Sequence, residues 1–199
     1  MSIVQKIFSG LVLALLLSCG QRSHYDRIIR HALVYDGSGS DPVLTDVAIN
    51  ADTIAFVGDL SAADATEVTE AEGKALSPGF IDTHSHHAGS NPFGHRDFPA
   101  AVSQGITTIV AGQDGGSSLP LAHFFQQLSD TPVAINIASY SGHNTIRDSI
   151  LGKDFRRKAS PEEINRMKAL LRADMDAGAL GFSTGLEYDP GIYSADEEV

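Results

Sequence analysis

The sequence predicts an α/β protein in which a parallel sheet with helices outside it follows a small β-sandwich. Three observations predict this. Short strands of period two, separated by turn residues, fill residues 26–75. From residue 76 onward apolar strands alternate with helical patterns, the rhythm of a parallel sheet. Over 199 residues the chain is 42% hydrophobic and 20% charged, without repeat or low-complexity tract, which is enough for one or two domains with a real core.

The front of the chain has a different character. Residues 1–19 carry Lys6, then an apolar core from Ile7 to Leu17 broken only by Ser9 and Gly10, and end Leu16-Leu17-Ser18-Cys19. That run is too short to span a bilayer core of about 30 Å as a helix, so it reads as a signal peptide. Small or apolar residues before a Cys resemble the lipobox of bacterial lipoproteins, which implies acylation at Cys19, a lipid anchor as the sole membrane contact, and a periplasmic or outer-membrane location. A simple cleaved signal and an uncleaved anchor are the alternatives. Cys19 is the single cysteine, so no intrachain disulfide forms. A formal charge of -11 argues against nucleic acid or another polyphosphate partner, and the one cationic run, Arg156-Arg157-Lys158, reads as a solvated flank.

Residues 20–25 form a linker. Arg27 to Tyr35 reads as a strand pair or one bent strand, stopped by the turn cluster Asp36-Gly37-Ser38-Gly39. Asp46 to Asn50 alternates, Ala51-Asp52 turns, and Thr53 to Val57 returns to Gly58; Glu67 to Glu70 is a weaker fourth strand. The second pattern opens with an apolar strand over Leu76–Thr83. A short helix follows over Phe98–Gln104 with Gly105 as its stop, then a β-branched strand over Ile106–Ala111, a helix over Leu119–Leu128 and a strand over Val133–Ala138. Ser160-Pro161-Glu162-Glu163 starts a helix with Ser at the N-cap, Pro in the first turn and Glu three residues after Ser. Ile164, Met167, Leu171 and Met175 form its apolar stripe, Gly178 ends it, and Ala179–Ser183 is the next strand. A complete (β/α)8 barrel takes about 250 residues, so residues 76–199 correspond to about half of one. Ser194 to Val199 reads as the start of a capped helix, and the sequence is expected to continue.

The chemistry concentrates at Ser77-Pro78-Gly79-Phe80-Ile81-Asp82-Thr83-His84-Ser85-His86. Two His at i and i+2 on a strand face the same way. At the C-terminal end of a barrel strand that face looks into the mouth. Neutral imidazoles suit Zn²⁺, and a bound metal lowers the pKa of its water toward ~7, supplying a nucleophile for an amide carbonyl. His87 has opposite parity and reads as a loop or supporting residue. His24, His31, His95 and His123 lack such placement and read as surface or core histidines.

Pro78 to His86 resembles the first barrel strand of the amidohydrolase superfamily, and residues 26–73 resemble its flanking β-sandwich. Three further segments are similar to the D-aminoacylase (N-acyl-D-amino-acid deacylase) branch: Gly105 to Gly115, Ser141 to Arg147, and Gly178 to Gly191. The resemblance implies a (β/α)8 (TIM-barrel) fold and hydrolysis of linear amides of N-acyl-D-amino acids. It also implies one or two Zn²⁺ ions, or another divalent metal, held by His84, His86 and Asp114. The branch carries Cys where this sequence has Asp114; an oxygen ligand is harder than thiolate and holds Zn²⁺ less selectively. His143, Arg147 and Tyr188 are the candidate substrate contacts: Arg147 could grip a carboxylate bidentately, and the Tyr188 phenol could polarise the scissile carbonyl. For His143, Arg147 and Tyr188 a structural role is the alternative, for Asp114 a turn role before Gly115-Gly116 is, and Glu187 is a further candidate ligand. The general base, an Asp after the last barrel strand, and two further His ligands are expected beyond residue 199, so these residues alone are expected to be inactive.

Two other functions fit parts of the pattern. A cyclic-amide hydrolase of hydantoinase or dihydroorotase type would carry a carboxylated Lys at the end of the fourth strand; Ala179–Leu186 contains none, and Lys168 lies on a helix. A non-catalytic lipoprotein that keeps the fold as a binding module is the third reading.

Overall fold

A computed structural model describes residues 23–88, 94 and 96–199. The apolar leader with Cys19, and His95, lie outside the described residues. The chain divides into two units, Met1–Pro78 and Gly79–Val199. Among the described residues no helix is long and apolar enough to cross a membrane.

The first unit is one sheet. Strands β1 (His24–Val34), β2 (Val43–Asn50) and β3 (Thr53–Gly58) run antiparallel in sequence, while β4 (Asp64–Glu70) and β5 (Ala75–Leu76) both pair with β1 in parallel. The segment expected as a strand pair or bent strand is the latter. The β1–β2 register shifts between Ile29 and Ala32, where His31 takes a φ of 52°. The bulge is stabilised from across the sheet: buried Asp46 accepts the His31 N–H at 2.9 Å and the Leu60 N–H at 3.2 Å. Ile28, Ala48, Leu60 and Ala63 form the core beneath.

The second unit holds a parallel sheet, β6 (Phe80–Asp82), β7 (Ile106–Ala111) and β8 (Asn136–Ser139), in that order. One residue after β8 the chain resumes as β9 (Ser141–Gly142), which pairs in parallel with β10 (Phe182–Ser183). Helices α1 (Pro99–Val102), α2 (Leu121–Asp130), α3 (His143–Leu151) and α4 (Pro161–Asp176) lie between the strands in sequence. Ile109, Ala111, Ile135, Phe98 and Ala101 form one core cluster; Leu121, Phe124 and Ala179 form another.

Three expectations are corrected here, and one helix, over residues 143–151, carried no expectation. The single strand expected over Leu76–Thr83 is two, because Ser77-Pro78-Gly79 separates β5, which serves the first unit, from β6, which serves the second. The 143–151 segment is helical although β-branched Thr145, Ile146 and Ile150 disfavour it; tertiary packing of Ile146 and Leu151 against Met167 overrides propensity. In α4 the capping box forms as read, with the Ser160 side chain accepting the Glu163 N–H and the Glu163 carboxylate accepting the Ser160 N–H. Its stripe is shifted, however: Met175 is exposed and Asp174 is buried. The Asp174 carboxylate accepts the Leu121 N–H at 2.9 Å and the Ser141 hydroxyl at 2.7 Å, tying α2 and β9 to α4. Residues 196–198 form a turn rather than a helix start.

Candidate metal centre

Strand β6 ends at Asp82, so His84 and His86 stand just past it rather than in it. Alternation survives because the Ser85 N–H still donates to Val110 O on β7, at 3.1 Å. Ser85 is therefore buried while His84 and His86 project together on the other side. Two further bonds hold this exit. The Asp82 carboxylate accepts the His84 N–H at 3.2 Å, and the Gln113 amide donates to Thr83 O at 2.7 Å, joining the ends of β6 and β7.

Asp114 arrives from the loop after β7 with a φ of 55°, a left-handed conformation that Asp tolerates better than most residues but keeps only when its surroundings impose it. The surroundings are tight. The Ser183 hydroxyl accepts the Gly115 N–H at 3.3 Å and donates to Gly112 O, closing the loop onto β10. Gly185 packs against the Asp114 peptide so closely that a Cβ there would lie 2.0 Å from Asp114 O.

The result is convergence of three donor atoms from two loops. His84 Nε2 and His86 Nε2 lie 3.3 and 3.2 Å from the same Asp114 Oδ2, and all three ligating atoms lie within 4.8 Å of one another. Tetrahedral zinc with ligand bonds of 2.0–2.1 Å places neighbouring ligand atoms about 3.3–3.4 Å apart, so both His–Asp edges match it. The donor set of two imidazoles and a carboxylate also suits a divalent cation. Among the described residues, the ion-pair partners of Asp114 are His84 and His86. The residues fit a metal ion, and the set is open to solvent.

Beside His86 lies a cleft of about 620 Å³, whose walls include Ser117, Ser118, Thr145, Phe124, Gln127 and His123. His123, read from sequence as a surface or core histidine, lines the cleft; its signal would have been its place in the first turn of the helix that follows the Asp114 loop. Tyr188 is 55% exposed, with its ring against Gly185. Glu187 is exposed and outside the three-atom cluster.

His143 and Arg147 are both sealed inside, at 3% and 0% side-chain exposure. The carboxylate that Arg147 grips is the chain's own: Glu198 accepts from Arg147 Nη1 and, at 2.9 Å, from His143 Nε2. Arg147 Nη2 donates to the carbonyls of Phe155, Arg157 and Tyr193. Both side chains make the structural contacts that were the alternative to a substrate contact. Burial works to raise the Glu198 pKa, but the Arg147 and His143 donors outweigh it and hold the carboxyl below its ordinary value. Glu198 carried no sequence signal.

The family model described as "Amidohydrolase family" matches residues 67–198. D-aminoacylase of Alcaligenes xylosoxydans xylosoxydans is 34% identical over 198 residues, covering 88% of this chain and 40% of the relative. N-acyl-D-aspartate deacylase of the same organism is also 34% identical, covering 87% and 39%. Among solved structures, N-acyl-D-glutamate deacylase from Bordetella bronchiseptica, complexed with zinc and a phosphonate mimic of the tetrahedral intermediate, superposes with a TM-score of 0.84. It is 30% identical, with 88% of this chain and 41% of that chain covered. The chain therefore spans about two fifths of the length of these relatives. With the family model running over the loops that carry His84, His86 and Asp114 and a shared fold behind them, this chain belongs to the amidohydrolase family.

Proposed function

We propose that the full-length protein hydrolyses the amide bond of N-acyl-D-amino acids at a divalent-metal centre held by His84, His86 and Asp114. The observation that carries this is the meeting of two Nε2 atoms and one carboxylate oxygen at ligand spacing, at the exits of adjacent parallel strands. The relatives' names, D-aminoacylase and N-acyl-D-aspartate deacylase, support the substrate class.

A divalent cation bound there supplies a Lewis acid and water acidified toward ~7. The protein residues do the rest. His84 and His86 offer Nε2 lone pairs, which requires neutral rings. Asp114 adds one negative charge, and the fixed loop around it spares the site the cost of ordering that carboxylate. The cleft beside His86 receives one arm of the substrate: Ser117, Ser118 and Gln127 offer hydrogen bonds, and Phe124 an apolar wall. Tyr188, exposed and packed on Gly185 beside the Asp114 peptide, is the remaining candidate substrate contact. Following the family resemblance, an Asp beyond residue 199 would move the proton from water to the leaving amine. We read residues 76–199 as half of a (β/α)8 barrel and 26–75 as part of a β-sandwich, with export and acylation at Cys19 resting on sequence alone. The cyclic-amide reading is disfavoured because Ala179–Leu186 offers no Lys to carboxylate.

The test is a panel of N-acetyl-D- and N-acetyl-L-amino acids given to the full-length protein with and without chelator. D-selective hydrolysis is expected, abolished by chelation and reduced at least ~100-fold in His84→Ala, as loss of a zinc ligand should do. Hydrolysis that persists through chelation, or no hydrolysis of any member, would sink the proposal.

A further inference from the structure

We infer that Glu198 is a positioning residue for the metal centre: by holding the first turns of α3 through His143 and Arg147, it fixes where the Asp114 loop presents its carboxylate. The inference rests on the metal reading of His84, His86 and Asp114.

His143 and Arg147 are four residues apart on α3 and so share one face of it. Glu198, 1% exposed at its side chain, spans both, one oxygen on each. The oxygen that meets His143 also accepts the Ser194 hydroxyl at 3.3 Å. The next residues of α3 touch the ligand loop directly. The Thr145 N–H donates to Gly115 O at 3.1 Å, and the Thr145 hydroxyl accepts the Ser117 N–H at 3.0 Å. In return the Gly142 N–H donates to the Ser117 hydroxyl at 2.9 Å. Asn144 Nδ2 donates to Gly185 O at 3.0 Å, fixing the residue that packs on the Asp114 peptide. The two segments are in such close contact that a Cβ on Gly142 would stand 2.4 Å from Gly115 O. A displaced α3 therefore displaces Gly115, and with it the left-handed Asp114 that precedes it. Interiors packed this tightly transmit small shifts rather than absorb them.

A clamp that served stability alone would leave the metal's coordination untouched. The experiment is therefore a titration of the metal-free, full-length protein with Co²⁺, followed by its visible absorption, with circular dichroism to monitor folding. Removing partners that orient ligating groups typically costs about 10–100-fold in metal affinity. Glu198→Gln is expected to weaken Co²⁺ binding about tenfold and to change the visible band, with the fold retained. Glu67→Gln, which breaks the exposed Arg27–Glu67 ion pair of the first unit, should leave both unchanged. A folded Glu198→Gln with wild-type affinity and band overturns the inference. Should Glu198→Gln fail to fold, Glu198→Asp decides: it keeps the charge but shortens the reach, and wild-type Co²⁺ binding in it is equally fatal. His84→Ala separates the two claims. If it binds Co²⁺ as the wild type does, the metal reading falls and takes this inference with it; if it loses Co²⁺ while the Glu198 variants do not, only the positioning role falls.

Discussion

Asp114 and Glu198 each face two basic side chains, in the same unit and at opposite depths. Around Asp114 the side chains are 40–67% exposed; around Glu198 none exceeds 3%. In the sealed cluster the cation is built in, because Arg147 carries a permanent charge and water is excluded from the pair. In the open cluster two imidazoles and a carboxylate meet within reach of solvent, and on the proposed reading a divalent cation from solution would supply the positive charge. Depth thus separates a charge that stabilises the fold from one left available for chemistry.

The largest expected effect tests that separation through stability. Arg147→Met strands the buried Glu198 carboxylate beside His143 alone and should cost about 3–5 kcal/mol in urea unfolding. His84→Met, on a ring 59% exposed, should change the metal-free protein by no more than about 0.5 kcal/mol. Equal losses would erase the distinction between the clusters.

Acid provides the next test. The Glu198 carboxyl is held below its ordinary value of 4.5, so its contribution is complete above that pH and drains away as pH falls through the lower folded value. The urea midpoint should therefore drop on acidification below about pH 4.5, and Glu198→Gln should remove that part of the slope. A variant with an unchanged acid slope would place the sensitivity elsewhere.

The smallest effect sharpens the open cluster. Asp114→Cys replaces a hard oxygen with a soft thiolate at an exposed position. Competition dialysis should show preference for Zn²⁺ over Mn²⁺ rising by at least about tenfold. No shift in preference would mean that residue 114 does not touch the metal.

Much of the fold was legible because its signals are local. The Ser160–Glu163 capping box, the turn at Ala51-Asp52 and the β-branched run Ile106–Ala111 each state their structure within a few residues. Helix α3 was not legible, since its residues favour other conformations and only Met167, from a later helix, gives Ile146 and Leu151 their reason to fold inward. Asp174 and Met175 exchanged roles because a stripe one position off is indistinguishable until α2 and β9 supply the hydrogen-bonding partners that bury the carboxylate.

At the centre itself the division is sharper. The His-x-His spacing, being a property of extended backbone, determined that two imidazoles would share a side. Whether Asp114 would join them depended on a left-handed turn pressed between β10, Gly185 and α3, none adjacent in sequence. The fate of Arg147 depended on Glu198, 51 residues away. Spacing along a chain fixes direction, but only packing brings distant charges within reach and decides whether water can follow.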